Sequence, residues 1–276
     1  MTKLAEAQIA QYHEDGFVIL RGALDPATVR RLRDEVDAVA STEQRPEAFY
    51  YHETSNDDPG VEILRRVERL SAASPIINEL FRSDVVAGLV GQLFGEPAVL
   101  FKDKLNLKLP GGSGFRAHVD GHFLWKHPDG VDRRGWLEYG TEFINAVIGI
   151  DQSTRDNGCL EVAKLRETFE RVGRTPDAIM DGVVGRGPDV TDEVAEAVTY
   201  QLLETEPGDI ALFDWRCIHR SAPNHSTESR RILYSTYNRL SAGDLMARYY
   251  DDKRDSGEPV QLKSLRRDAG RATRSP

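Results

Sequence analysis

The first hundred residues carry apolar positions at helical spacing. Val29, Leu32 and Val36 recur with the period of an amphipathic helix, and Asp25 before Pro26 provides its cap and first turn. A short apolar, β-branched run at 16–20 predicts one strand, and the polar stretch 41–60 predicts a loop. The pattern as a whole predicts helices at residues 5–14, 25–40, 61–71 and 75–94.

From residue 98 onward the pattern changes to short apolar and alternating segments, which turn signals such as Asp156-Asn157-Gly158 separate. A polar helix is expected at 244–251. Helices followed by many short strands favour a single α+β domain, residues 1–261, built on a β-barrel or sandwich. The predicted strands are at residues 98–101, 105–109, 115–119, 141–150, 159–163, 200–203, 210–213 and 231–237.

Two stretches depart from this pattern. Residues 164–198 are charged and partly helical, at 192–198, and predict a mobile lid or a surface insertion. The glycine-containing run 182–187 lacks the glycine order of a phosphate loop and follows no strand. Residues 262–276 hold five basic side chains against Asp268 and predict a flexible, solvated tail.

Charge and cysteine content narrow the choice of partner and compartment. The net charge of −9 argues against general nucleic-acid binding and favours a neutral or cationic small substrate, unless the pocket itself is rich in arginine. Cys159 and Cys217 form no Cys-x-x-Cys pair and are expected to be small core residues in a reducing compartment. The polar N-terminus and the lack of a long apolar run predict a cytoplasmic protein without membrane contact. Assembly into a homo-oligomer stays open.

Three His-x-Asp triplets occur, which begin at His13, His118 and His127, so the triplet alone decides nothing. In a strand, residues i and i+2 point to the same face, so a histidine and an aspartate so spaced can reach one metal ion. His13 is at a helix end and His127 is in a turn with Pro and Gly. Only His118 and Asp120 follow a segment with suitable strand character, after the glycine-rich turn 111–114.

A third ligand must come from a distant strand. His219 follows the strand 210–213, whereas its rival His225 is in a polar loop. Two histidines and one carboxylate form the facial triad of non-haem iron oxygenases, although separate core or surface histidines would leave the same spacing. Arg230, eleven residues past His219, enters the last strand, where a guanidinium can hold a dicarboxylate. Because a strand alternates, only one of Arg230 and Arg231 can face the interior.

Taken together, these residues resemble the phytanoyl-CoA dioxygenase family of Fe(II)/2-oxoglutarate oxygenases, including its ectoine-hydroxylase-like bacterial members. One departure is plain, because relatives usually continue with Pro-Gly-Ser-His where this chain has Ala163-Lys164-Leu165-Arg166. That segment is at the pocket rim in the family, so the departure concerns substrate choice. The resemblance is carried by Arg230 and by residues 12–22, 105–108, 115–120, 156–160, 207–209 and 219–224.

The resemblance implies a double-stranded β-helix, or jelly-roll, core with flanking N-terminal helices. It implies that His118, Asp120 and His219 bind Fe(II), and that Arg230 rather than Arg231 binds the distal carboxylate of 2-oxoglutarate. Asn106 and Ser221 match further positions that contact this co-substrate. Halogenating relatives replace the carboxylate of Asp120 with a small residue, so its presence favours hydroxylation.

The implied reaction consumes 2-oxoglutarate and O2, releases succinate and CO2, and hydroxylates an unactivated C–H bond of a small molecule, with specialised or phosphonate metabolism as the setting. Desaturation, cyclisation or epimerisation at the same iron centre, and a non-catalytic ligand-binding barrel, are the alternatives. Phe115, His122 and Trp125 are candidate substrate contacts, for which ordinary core packing is the competing interpretation. Residues 50–52 are weaker candidates for the pocket entrance.

Overall fold

Two antiparallel sheets form the centre of the fold in the computed structural model, which describes residues 3–41, 43–127, 129–172, 188–256 and 264–265. The larger sheet has the order β1 (Phe17–Leu20), β11 (Ile210–Asp214), β8 (Ile144–Gly149), β13 (Arg230–Arg239), β4 (Ala98–Lys108), β3 (Glu62–Glu68), β2 (Phe49–Thr54). The smaller has the order β10 (Tyr200–Leu203), β9 (Leu160–Ala163), β12 (His219–Ser221), β5 (Gly114–His118), β14 (Ser264–Leu265). A short hairpin joins β6 (Trp125–Lys126) and β7 (Asp132–Arg133).

Most of the helices precede the central strands in the chain. The α2 helix begins as predicted, because the Asp25 carboxylate accepts hydrogen bonds from the backbone N–H groups of Ala27 and Thr28. Short 3-10 helices occur at Gly135–Glu138 and Leu240–Ala242. The α-helices of the described residues are α1 (Glu6–Asp15), α2 (Pro26–Ala40), α3 (Leu70–Ala73), α4 (Pro75–Arg82), α5 (Ala87–Phe94), α6 (Leu165–Val172), α7 (Asp192–Ala197) and α8 (Met246–Asp255).

Strand β11 of the larger sheet is apolar on both faces. Along β11, Ile210 and Leu212 pack into the cluster that contains the apolar residues of α2, α4 and α5. Ala211 and Phe213 point the other way, into a second cluster that includes Val162 of the smaller sheet. The predicted α+β jelly roll is confirmed, and it has one core beneath the helices and another between the sheets.

Five of the predicted elements were wrong in type or extent. The loop predicted at 41–60 contains β2, and the helix predicted at 61–71 is mostly β3, followed by the single turn α3. Tertiary context overrides local pattern here, because β2 and β3 pair with each other and β3 carries charged residues that are buried. The helix predicted at 75–94 is divided into α4 and α5. The strands predicted at 98–101 and 105–109 form one strand, β4.

The insertion and the tail are described only in part. Within the insertion, α6 and α7 are helical, and the run 182–187 lies outside the described residues. In the tail, only the backbone of Ser264–Leu265 is described, and it pairs with β5 at Gly114 and Phe115. The predicted domain boundary at 261–262 stays a prediction. None of the described helices has the length and apolarity that crossing a membrane would require.

Candidate active site

The two histidines lie directly opposite each other on paired strands. His118 ends β5, His219 begins β12, and the two are register partners with ring centroids 4.1 Å apart. The strands approach closely because residue 114 is glycine: a Cβ there would lie 2.3 Å from the carbonyl oxygen of Ser221. This pairing brings together residues that are a hundred positions apart in sequence.

Both imidazole rings are oriented by backbone carbonyl groups. Nδ1 of His118 is 2.7 Å from the carbonyl oxygen of Arg116, and Nδ1 of His219 is 3.0 Å from that of Cys217. Because a carbonyl oxygen only accepts hydrogen bonds, Nδ1 must carry the proton in each ring, which leaves Nε2 as an available lone pair. This is the tautomer that a metal ligand needs.

Asp120 completes the group and is itself held in place. The side chains of Ala117 and Val119 pack into an apolar cluster, so His118 and Asp120 share the opposite face. Asp120 Oδ2 lies 3.7 Å from Nε2 of His219 and accepts hydrogen bonds from Asn145 Nδ2 (3.0 Å) and the Tyr234 hydroxyl (2.9 Å).

The three side chains fit a metal ion. One ligand atom from each lies within 4.8 Å of the other two, and all three residues are buried. Burial lowers the pKa of His118 to about 3 and also lowers that of His219, so both rings are neutral donors near pH 7. Burial acts to raise the pKa of Asp120, but His219, Lys104, His118 and the hydrogen bond from Tyr234 hold it at about 2, so the carboxylate is ionised. Two neutral imidazoles and one carboxylate match the facial triad of non-haem iron.

Arg230 and Arg231 point to opposite sides of β13. Arg231 is paired with Asp151 and Asp37 at the surface of the protein. Arg230 is only 2% exposed. Among the described residues it has no ion-pair partner, and its Nε has no hydrogen-bond partner. Burial lowers its pKa to about 10, so the guanidinium remains charged. A buried cation with an unpartnered donor is suited to an anionic ligand, such as the carboxylate of 2-oxoglutarate.

Arg230, His118 and His219 line one cavity. The predicted co-substrate residues Asn106 and Ser221 also line it, as does the candidate substrate contact Phe115. Asn106 Oδ1 has no hydrogen-bond partner among the described residues, whereas Ser221 Oγ accepts a hydrogen bond of 2.7 Å from Lys108. The remaining lining residues are Lys104, Leu160, Arg220, Ile232 and Tyr234.

The other candidates lie elsewhere. His122 is buried and stacks on Trp215, and Trp125 is buried in an aromatic cluster with Tyr139 and Tyr249. Neither is among the described residues that line this cavity, and their proposed substrate contact stays a prediction. The entrance candidates, residues 50–52, lie on the edge strand β2.

The competing histidines are away from the triad. His13 and His225 are exposed. His127 lies in a turn, with its Nδ1 3.3 Å from Asp129.

Three residues of the site were missed from the sequence. Asn145 and Tyr234 hydrogen-bond to Asp120, and Lys104 lines the cavity. Strand alternation could have found two of them, because Lys104 precedes Asn106 by two positions and Tyr234 follows Arg230 by four. Asn145 is on β8, and only the sheet order places it beside Asp120.

A jelly-roll core with a buried site of two histidines and one carboxylate defines the class of non-haem iron oxygenases. The chain belongs to the phytanoyl-CoA dioxygenase (PhyH) family, whose model matches residues 12–232. The enzyme is therefore a 2-oxoglutarate-dependent iron dioxygenase that acts on a small molecule.

Two relatives and one solved structure show the extent of this similarity. The chain is 31% identical over 260 residues to 2-aminoethylphosphonate dioxygenase from the uncultured bacterium HF130_AEPn_1, which covers 94% of this chain and 91% of that protein. It is 29% identical over 257 residues to methylphosphonate hydroxylase from Gimesia maris, and this alignment covers 92% of this chain and 88% of that protein. The crystal structure of EctD from S. alaskensis in its apoform superposes with a TM-score of 0.66 at 19% identity over 87% of this chain and 78% of EctD, and shows the shared fold.

Proposed function

We propose that this dioxygenase hydroxylates a C–H bond of a small phosphonate. In this proposal His118, Asp120 and His219 hold Fe(II), and Arg230 binds the distal carboxylate of 2-oxoglutarate. The observation that carries the proposal is geometric: the three ligand atoms lie within 4.8 Å of one another, and both histidines line the cavity that Arg230 lines. The names of the two relatives, which act on 2-aminoethylphosphonate and methylphosphonate, support the substrate class.

The residues of the chain have separate tasks in this reaction. When bound, the iron supplies the oxidising chemistry with 2-oxoglutarate and O2, with release of succinate and CO2. Two backbone carbonyls fix the imidazole rings, and Tyr234 and Asn145 fix the carboxylate, so the ligand set is pre-organised. Asn106 and Ser221 lie in the cavity with Arg230 and are proposed to contact the co-substrate.

We also propose that the enzyme acts in the cytoplasm. Cys159 and Cys217 are both buried free thiols. Burial raises the pKa of each thiol, to about 11 for Cys159, so neither is a reactive thiolate near pH 7. Free thiols of this kind support a reducing compartment.

Succinate release tests the proposed function directly. Protein loaded with Fe(II) would be incubated with 2-oxoglutarate, O2 and a panel of methylphosphonate, 2-aminoethylphosphonate, L-proline and ectoine. Succinate should form in step with a hydroxylated phosphonate and not with the other two compounds. Turnover of L-proline or ectoine alone would reject the substrate class. A desaturated, cyclised or epimerised product would show that the same iron centre catalyses that alternative reaction instead of hydroxylation.

An anaerobic titration separates an inactive enzyme from a binding barrel. Fe(II) and 2-oxoglutarate together should give a metal-to-ligand absorption band with the wild-type protein. If no band forms and no succinate is released with any substrate, the chain is a non-catalytic ligand-binding barrel, and the oxygenase assignment of the triad is wrong.

A further inference from the structure

The inside of β3 and β4 holds more buried cations than buried anions. The Glu68 carboxylate is fully buried, and three cationic side chains surround it: Arg66 at 3.1 Å, Lys102 at 3.2 Å, and Lys253. One carboxylate therefore faces three positive charges in a region with little access to water. Such an excess is costly unless a further anion balances it.

Lys104 adds a fourth buried cation, and it lines the active-site cavity. Its side chain is 7% exposed, and its ammonium group lies 4.1 Å from the ring centroid of Tyr234. Within the described part of the chain it has no hydrogen bond and no ion pair. Burial lowers its pKa to about 8, and the like charges of Lys102 and Arg66 add to the lowering, while the Asp120 carboxylate acts in the opposite direction.

The neighbouring Lys108 shows what a structural lysine looks like on the same strand. It is equally inward-facing and buried, but its ammonium group donates hydrogen bonds to Gly158 O (3.1 Å), Ser221 Oγ (2.7 Å) and Ala222 O (2.6 Å). All three protons of Lys108 are thus used by the fold. Those of Lys104 remain available to a ligand in the cavity.

Lys104 and Arg230 enter the cavity from separate positions along the sheet. Lys104 is opposite Tyr234 in the sheet, and Arg230 is opposite Lys108, so four strand positions separate them. Four positions correspond to about 13 Å along a strand. The histidines line the same cavity, which therefore has a cationic site at each of two separate positions.

We propose that Lys104 binds the phosphonate group of the substrate, and that the excess positive charge around Glu68 adds electrostatic stabilisation to this anion. This inference rests on the proposed function. Because Lys104 lines the same cavity as His118 and His219, a phosphonate bound to it would share the cavity with two of the three residues that would hold the iron. The overall charge of −9 favoured a neutral or cationic substrate, but the buried charges of the cavity reverse that expectation.

Binding measurements with Lys104→Met test this assignment. Methylphosphonate would be titrated anaerobically into the protein loaded with Fe(II) and 2-oxoglutarate, and the perturbation of the metal-to-ligand band would report its Kd. Loss of one charge-assisted contact should raise this Kd at least about tenfold, whereas the Kd of 2-oxoglutarate should change by less than about twofold. Lys104→Arg should recover part of the affinity. Lys126→Met, the same change at an exposed lysine, should leave both constants unaltered.

Two results would overturn the assignment. An unchanged methylphosphonate Kd in Lys104→Met would remove the subsite. A raised Kd for 2-oxoglutarate alone would make Lys104 a co-substrate residue that binds the keto-acid carboxylate. If Lys104→Met does not fold, Lys104→Gln, which keeps a polar side chain without the charge, replaces it and should raise the methylphosphonate Kd in the same way. Failure of the proposed function would differ from these results: methylphosphonate would bind without succinate release.

Discussion

The Tyr234 hydroxyl donates a hydrogen bond of 2.9 Å to Oδ2 of Asp120. The same oxygen accepts a second bond from Asn145, whose own carbonyl oxygen accepts one of 2.7 Å from Thr236. Tyr234 and Thr236 are on β13 and Asn145 is on the adjacent β8. The larger sheet thus fixes the orientation of a carboxylate that comes directly after β5 of the smaller sheet, which is the role that supporting residues have at metal sites.

Tyr234→Phe should weaken metal binding without removing a ligand. Loss of the hydroxyl frees the carboxylate to rotate, and supporting contacts of this kind are worth about tenfold to a hundredfold in metal affinity. Anaerobic Fe(II) titration would measure the change. Tyr237→Phe is the matched control, because its hydroxyl on the same strand donates to Phe81 O, away from the triad. Equal iron affinity in wild type and Tyr234→Phe would show that Asn145 alone is sufficient.

The neighbouring arginines of β13 should give opposite phenotypes. Arg230→Met should raise the Kd of 2-oxoglutarate about a hundredfold, because two charge-assisted hydrogen bonds of roughly 1.5 kcal/mol each are lost. Arg231→Met removes the ion pairs with Asp151 and Asp37, so it should leave this Kd unchanged and cost about 1 kcal/mol of unfolding free energy. Anaerobic titration of 2-oxoglutarate, followed by the metal-to-ligand absorption band, measures the Kd, and thermal unfolding measures the loss of stability. A loss of co-substrate affinity in Arg231→Met instead would reverse the assignment.

The sequence predicted the strand that carries His118 and the opposite orientations of Arg230 and Arg231, because both depend on local periodicity. It also predicted the α+β jelly roll through motifs that are spread over most of the chain. The interior of β3 and β4 was not predictable in the same way. Arg66, Glu68 and Lys102 are charged residues, which normally indicate a solvated surface. They are buried because the fold brings Arg66, Lys102 and Lys253 together around the one carboxylate of Glu68.

The residues that hydrogen-bond to Asp120 also depend on tertiary structure rather than on local pattern. Asn145 is in a strand that the sequence predicted, but no spacing rule connects it with Asp120. The link comes from the order of strands, which places β8 beside β13. Contacts of this kind are set by tertiary pairing, so a single sequence predicts the residues that carry periodic signals and misses those that support them.

Substitution of the three His-x-Asp histidines should separate the iron site from the other two triplets. His118→Ala should abolish turnover and the anaerobic absorption band, because one of three protein ligands is lost. His13→Ala and His127→Ala should retain the band, since His13 is exposed and His127 is in a turn beside Asp129. Iron content after desalting gives an independent measurement. Retention of stoichiometric iron by His118→Ala would place the metal elsewhere.

The carboxylate of Glu68 should control stability in a pH-dependent way. Burial acts to raise its pKa, but Lys102, Lys253 and Arg66 outweigh burial and hold the pKa well below the ordinary value of 4.5. A carboxyl group with a lowered folded-state pKa stabilises the fold above pH 4.5, and this contribution is lost as the pH falls towards the folded pKa. Glu68→Gln leaves the cations unbalanced and should cost about 3–5 kcal/mol near pH 7.

Urea unfolding of wild type and Glu68→Gln at about pH 7 and about pH 3.5 would measure this dependence. The difference in unfolding free energy between the two proteins should shrink at the lower pH, because the wild-type carboxylate then loses its advantage. Glu62→Gln, at the exposed start of β3, should differ little from wild type at either pH. If Glu68→Gln were as stable as wild type at pH 7, the buried cations would already be balanced without Glu68, and the excess of positive charge assigned to this region would not exist.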